Sequence, residues 1–257
     1  QVNHLINEIN ISDLINDKMK SCTAIILTGL SYRDKSYLDF GLNLLSKIIN
    51  NSFDENGFPK SRNFRQLVFY LKYFVLIREF LKDSQNEIPN YINESIFYLG
   101  QSYKLFWQDT KQSYLFNGSN INENFDFDKY LSQRGYKFLN NKHETGGYAI
   151  LSNKKNSIIM DIGKPPRKEF SYNYQSGPLS FEFTHMNNKI VSNSGYFQNF
   201  KHQLNLLSRS TAAHSTLTIN NTSVSQFEKD KYGKKLINKS FKILNKNIIV
   251  DKETWSI

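Results

Sequence analysis

One histidine stands among hydroxyls in the stretch SRSTAAHSTLTIN, residues 208–220, and it is the first candidate for chemistry. Alternation puts Ala213, Ser215, Leu217 and Ile219 on one side and His214, Thr216, Thr218 and Asn220 on the other. The spacing predicts a half-buried strand with His214 near its start, on the polar face. The NNTS that follows predicts a hairpin turn, because Asn tolerates left-handed backbone. An imidazole titrating near pH 6.5 can serve as base, acid or carboxylate partner; the structural alternative is a hydrogen-bonded histidine that pins a strand end. A second candidate is the pair Arg62 and Asn63 in KSRNF. A guanidinium grips a carboxylate bidentately, and Asn63 is also a good N-cap for the helix that FRQLVFYLK predicts. Tyr148 in GGYAIL, with Tyr172 and Tyr174, offers phenols, though most of the 15 tyrosines are expected to serve packing.

Helices must position the Arg62 end. In SYLDFGLNLLSKIINNSF the apolar residues Leu38, Leu42, Leu45 and Ile49 recur at helical spacing. Phe64, Leu67, Leu71, Phe74 and Ile77 repeat it, and a further helix starts after Pro89 and runs through Ile92, Ile96, Leu99, Tyr103 and Phe106. Short connections between such helices imply antiparallel helical hairpins. Over 117–132, NGSNINENFDFDKYLS, the pattern lapses, and beyond it the period becomes two. YAILSNKKNSIIMDIG predicts two strands about an Asn-Lys turn. LSFEFTHMNNKIVSNSG predicts a hairpin turning at Asn187 and Asn188, with Leu179, Phe181 and Phe183 on one face and Ser180, Glu182 and Thr184 on the other. KSFKILNKNIIVDKETWSI predicts two more strands. The expected fold class is α+β multidomain, with an all-α domain over 1–125 and an antiparallel β-sandwich over 126–257. Both blocks read as incomplete, as a piece of a longer protein would.

The chain has 257 residues, a net charge of +10, and one cysteine, Cys22, which excludes an internal disulfide and a Cys-rich metal site. Its longest apolar run, LVFYLKYFVLI, contains Lys72 and falls short of the roughly 20 residues a bilayer span needs. The positive charge favours polyanions, but no nucleic-acid motif accompanies it. GKPP at 163–166 lacks the strand-loop-helix setting of a phosphate binder.

Four stretches, NGFPKSRNF, LFNGS, YNYQSGPLSFEF with IVSNSG, and SRSTAAHSTLTIN, together resemble the heparinase II/III family of polysaccharide lyases. That resemblance implies the end of an incomplete α/α toroid followed by the first part of an antiparallel β-sandwich. It also implies cleavage of an acidic, uronate-containing polysaccharide by β-elimination. There the C5 proton is removed, the carboxylate being neutralised first, and the 4-O-linked sugar leaves. His214 falls on a family histidine that is a zinc ligand in metal-containing members. The other two ligand positions hold Gln175 and Asn193, whose amide oxygens bind zinc poorly, so no tightly bound zinc or other cofactor is expected. A family histidine that is often catalytic falls on Asn173, and the catalytic tyrosine on Gln66.

The resemblance leaves His214, Arg62 and Tyr148 as the catalytic set, with Asn63, Tyr174, Gln175, Asn193 and Asn117 as substrate-binding residues. It further implies a periplasmic or cell-envelope location, an acidic polysaccharide partner such as a glycosaminoglycan or alginate, and no membrane span. The alternative is a non-catalytic glycan-binding or envelope protein that keeps the lyase fold without its Tyr and His machinery.

Overall fold

The computed structural model describes residues 2–9, 15–108, 111, 113–120, 125–140, 142–230, 233–244, 249–250 and 255–256. It is α+β, helices first and antiparallel strands after, and it divides into two compact units. The first comprises residues 1–59 and 66–102, the second 60–65 and 103–257.

Helices α1 (Val2–Ile9), α2 (Ile15–Tyr32), α3 (Lys35–Ser52), α4 (Phe64–Asp83) and α5 (Asn90–Tyr103) account for the helical spacing. Asp34 caps α3 by accepting from the backbone N–H groups of Ser36 and Tyr37. The helices α2 and α3 approach closely because Gly41 lies against Ile26, where a Cβ would come within 2.5 Å of Ile26 Cγ1. The inward face of α3 is Gly41, Leu45, Ile48 and Ser52, one position off the Leu38, Leu42 and Ile49 that spacing alone selects. In the first unit Phe53 meets Tyr70 edge to face at 4.7 Å, with Phe74 and Leu71 buried beside them.

The second unit begins with a π-helical turn (Lys104–Gln108) after α5, then α6 (Phe125–Gln133). That helix corrects the patternless reading of 117–132, part of which lies outside the described residues. Phe127 and Leu131 are buried four residues apart, and Asp126 and Asp128 fill its first turn. Asp128 accepts from Tyr103 Oη, Trp107 Nε1, Gln108 Nε2 and Lys111 Nζ, which anchors the helix.

A five-stranded antiparallel meander follows in sequence order: β1 (Glu144–Thr145), β2 (Tyr148–Ser152), β3 (Asn156–Asp161), β4 (Phe181–His185) and β5 (Asn188–Val191). Tyr148 pairs with Asp161 and Ile159 with Glu182. The β4–β5 turn sits one residue before the expected place, at Met186 and Asn187, both left-handed. A short α7 (Gln203–Leu207), the pair β6 (Gln226–Lys229) and β7 (Lys235–Lys239), and the pair β8 (Ile249–Val250) and β9 (Trp255–Ser256) complete the chain. The strands expected in the tail fall partly outside the described residues.

Two expectations change in the second unit. The buried face of β4 is its polar one: Ser180, Glu182 and Thr184 are buried, whereas Phe181 and Phe183 are half-buried and Leu179 is exposed. Glu182 tolerates full burial because it accepts from Leu115 N, Lys189 Nζ, Ser192 Oγ and Asn193 N. Residues 213–219 do not form the expected strand. Ser210, Thr211, Ala213 and His214 instead make a 3-10 turn and its end. Beyond it Ser215 Oγ bonds Phe181 O, and Thr216 Oγ1 donates to Pro178 O at 2.6 Å, so hydroxyls replace a backbone ladder. The hairpin at Asn220 and Asn221 does form, with both residues left-handed and Ile219 bridged to Thr222.

Candidate functional site

Arg62, at left-handed φ 59°, is buried in the second unit. Its Nε donates to Gly146 O at 2.9 Å, Nη1 to Lys164 O at 3.1 Å, and Nη2 to Gly147 O at 2.9 Å and Asp161 Oδ1 at 2.6 Å. Four of the five N–H donors of a guanidinium are therefore engaged inside the fold. Gly147 and Gly163 make room for it, since a Cβ on Gly163 would lie 2.5 Å from Arg62 Nη2. Burial by itself would lower the Arg62 pKa, but the Asp161 carboxylate outweighs it and holds the guanidinium above its ordinary range. This corrects the expectation of a fork held out to a substrate carboxylate: the carboxylate Arg62 grips is Asp161.

Tyr148 belongs to the same cluster. It is fully buried, packed against Phe64 at 4.6 Å and Phe116 at 5.5 Å, with the Arg62 guanidinium 4.6 Å from its ring centre. Its hydroxyl donates to Arg62 O at 2.7 Å and accepts from Asn117 Nδ2. Burial pushes the phenol well above its usual range, with Arg62 opposing. Tyr148 is thus a core tyrosine, with no access for a substrate proton.

Asn117 and Gln175 extend the network. Asn117 Oδ1 accepts from Gln175 N at 3.3 Å, Gln175 Oε1 accepts from Gly118 N at 3.0 Å, and Gln175 Nε2 donates to Gly195 O and Ser208 O at 2.9 and 2.7 Å. Both side chains knit loops together. Tyr174 is also buried, which pushes its phenol above the usual range.

Asn63 caps α4, its Oδ1 accepting from Arg65 N at 2.8 Å. Its Nδ2 end turns to Gly118, a glycine at φ 87°. A Cβ there would lie 2.6 Å from Asn63 Nδ2 and 2.5 Å from Asn173 Cβ. The missing side chain lets the Asn63 amide and the Cβ of Asn173, brought in from distant segments, close on one backbone position.

His214 and Asn193 form a separate group. Asn193 Oδ1 accepts from Ser215 N at 3.0 Å and Ser215 Oγ at 3.2 Å. The His214 ring and Ser180 Oγ both lie against Gly177, where a Cβ would come within 2.8 and 2.9 Å of them. Among the described residues the buried His214 Nε2, Asn193 Nδ2 and Ser180 Oγ have no hydrogen-bond partner, nor has Thr184 Oγ1 farther along β4. Burial pushes the imidazole pKa down to about 4, so it is neutral near pH 7. Among the described residues no hydrogen bond joins Arg62 to His214.

The zinc-type positions do not fit a metal. Gln175 Oε1 and Asn193 Oδ1 are already acceptors for protein donors, and among the described residues no group of three His, Cys, Asp or Glu side chains gathers.

Sequence reasoning missed Asp161, Glu182 and Arg209. Asp161 had a signal, a carboxylate closing the apolar run SIIMD. Arg209 lies in the same SRSTAAH stretch as His214 and is fully buried. It donates to the carbonyls of Tyr174, Lys235 and Ser171 at 2.7, 2.7 and 3.0 Å, with Phe227 4.0 Å beneath it. Burial without a carboxylate lowers its pKa to about 10.

Residues 140–254 match the family described as Heparinase II/III-like, C-terminal. Three solved structures are similar in fold. A heparinase III is 16% identical, with TM-score 0.66, over 83% of this chain and 41% of that one. The heparan sulfate lyase HepC from Pedobacter heparinus is 15% identical, with TM-score 0.68, over 83% and 39%. A further heparinase III is 15% identical, with TM-score 0.73, over 88% and 41%. The shared fold is a toroid followed by a β-sandwich, and the chain spans about two fifths of the length of these structures. No curated protein is a significant match. Among the described residues no helix is long and apolar enough to cross a membrane.

Proposed function

We propose, starting from residues 140–254 as a heparinase II/III-like C-terminal domain, that the chain is part of a polysaccharide lyase acting on an acidic, uronate-containing glycan by β-elimination. The observation that carries this reading is the convergence of Asn63 and Asn173 over Gly118. An amide carried there can donate to a uronate carboxylate and stabilise the enolate charge that grows on it as the C5 proton leaves. The proposal makes Asn173, half-buried beside the buried Asn63 cap, the carboxylate-binding amide and keeps His214, a neutral imidazole with an unpartnered Nε2, as base. A carboxylate brought beside that imidazole raises its pKa toward the working range. Arg62, Tyr148, Asn117 and Gln175 hold the loops that carry this set, and Tyr174 and Asn193 back it. A periplasmic or envelope location, and a glycosaminoglycan or alginate as substrate, belong to the same proposal.

The test follows the ultraviolet absorbance of the unsaturated uronate with heparan, chondroitin-type and alginate substrates. Asn173→Ala should lower kcat/KM by about 100-fold or more, the size of one lost charge-stabilising donor. No absorbance with any substrate overturns the reading. A glycan-binding protein without turnover is the second reading, favoured by the burial of His214 Nε2 and Tyr148 Oη. Glycan affinity without turnover in either the parent or His214→Ala would establish it.

A further inference from the structure

A cavity of about 360 Å³ opens in the first compact unit, formed entirely by residues 49–57 and 91–99. It shares no residue with the amide site. The two rings at its wall, Tyr91 and Tyr98, lie seven residues apart on α5, two helical turns, and so share a face. Tyr91 is anchored, its hydroxyl donating to Leu42 O at 2.9 Å. Tyr98 is 39% exposed and is braced on one side by Phe97, edge to face at 5.3 Å.

The opposite wall is a preset loop. Asp54 Oδ1 accepts from Asn56 N and Phe58 N at 2.9 and 2.8 Å, and Phe53 bridges Pro59. Gly57, at φ 72°, lies flush on Tyr98: a Cβ there would fall 2.5 Å from Tyr98 Cβ and 3.0 Å from Cγ. The loop therefore sets the position of the ring. Glu55 and Glu94 also line the cavity, both exposed, and among the described residues neither side chain makes a hydrogen bond or ion pair. Aromatic faces beside open carboxylates form a small, half-apolar cavity of the size that takes one or two sugar rings. Ring faces are electron-rich and receive C–H groups or a cation, while carboxylates accept hydroxyl and ammonium protons.

The sign of the charge selects the ligand. Two unpaired carboxylates within one cavity repel a uronate, although the chain as a whole carries +10. We propose that this cavity binds a non-acidic sugar, and specifically an amino sugar with a free protonated amine, stacked on Tyr98 and bonded to Glu55 and Glu94.

The experiment is calorimetric titration of the full 257-residue chain with tetramers of glucosamine, of glucose and of galacturonate, at low and at physiological salt. The glucosamine tetramer should bind at least about tenfold more tightly than the glucose tetramer, and the galacturonate tetramer should not bind at this cavity. Tyr98→Ala should weaken glucosamine binding by about tenfold or more while leaving the thermal transition in place, since the residue lies outside the buried core at 39% exposure. Glu94→Gln should bring glucosamine down toward glucose without changing glucose binding. Unchanged glucosamine binding in both variants, or galacturonate binding that Tyr98→Ala weakens as much as it weakens glucosamine binding, overturns the proposal. Neither result bears on lyase turnover, which is read by absorbance.

Discussion

Two buried polar clusters lie in the same unit and differ in how completely they are satisfied. Around Arg62, the Asp161 carboxylate, the Tyr148 hydroxyl, Asn117 and Gln175 engage one another and the backbone of several loops. Around Glu182 the carboxylate itself is saturated, but its neighbours Ser180, Thr184, Asn193 and His214 each keep a buried atom without a partner. A satisfied network rigidifies and specifies a fold, whereas unpartnered buried groups are a cost that a purely structural region has no reason to keep. The comparison assigns the first cluster to scaffolding and marks the second as the place where a ligand or a rearrangement would find unused hydrogen-bonding capacity.

The largest effect should come from splitting the Arg62–Asp161 pair. Arg62→Met leaves Asp161 buried and uncompensated, and should cost about 3–5 kcal/mol in a denaturant midpoint analysis. A loss under about 1 kcal/mol would remove the scaffold assignment. Next comes His214. Its folded-state pKa of about 4 lies below the 6.5 of the free side chain. The unfolded chain therefore takes up the proton first. The stability contributed by the neutral imidazole is full above about pH 6.5 and is lost as pH falls toward 4. Near pH 5 the loss should reach up to about 2 kcal/mol, and His214→Gln should flatten the profile over that window. A parent protein with no loss of stability between pH 6.5 and pH 4 would mean the imidazole is more open to water than the structure has it. The smallest effect belongs to Ser180→Ala. Deleting a hydroxyl that bonds nothing should be neutral or stabilising by about 1 kcal/mol, whereas a clear loss would show that Ser180 Oγ has a partner in solution.

Which residues could be read in advance follows from range. Asn63 as a helix cap was legible because its partner, Arg65 N, lies two residues on. The left-handed turn at Asn220 and Asn221 was legible for the same reason. Arg62 was singled out, but its partner Asp161 lies 99 residues away, and nothing local marks a guanidinium as inward-facing. Tyr148 alternates like any half-buried strand residue, so its enclosure by Phe64 and Phe116 could not be seen. The helix over Phe125–Gln133 was hidden by flanking Asn and Ser residues, which conceal the two buried apolar positions. The meeting of Asn63 with Asn173 needs Gly118, whose role as a gap exists only once three distant segments are assembled.

By itself the sequence determined the helical blocks, the strands β2 to β5, the Asn turns and the resemblance to heparinase II/III lyases, all of which depend on periodicity or on order along the chain. The tertiary structure alone decided that the buried side of β4 is the polar one, that Arg62 is a brace and not a clamp, and that His214 is neutral. Burial and hydrogen-bond completion are set by groups brought in from remote positions, and spacing carries no record of them.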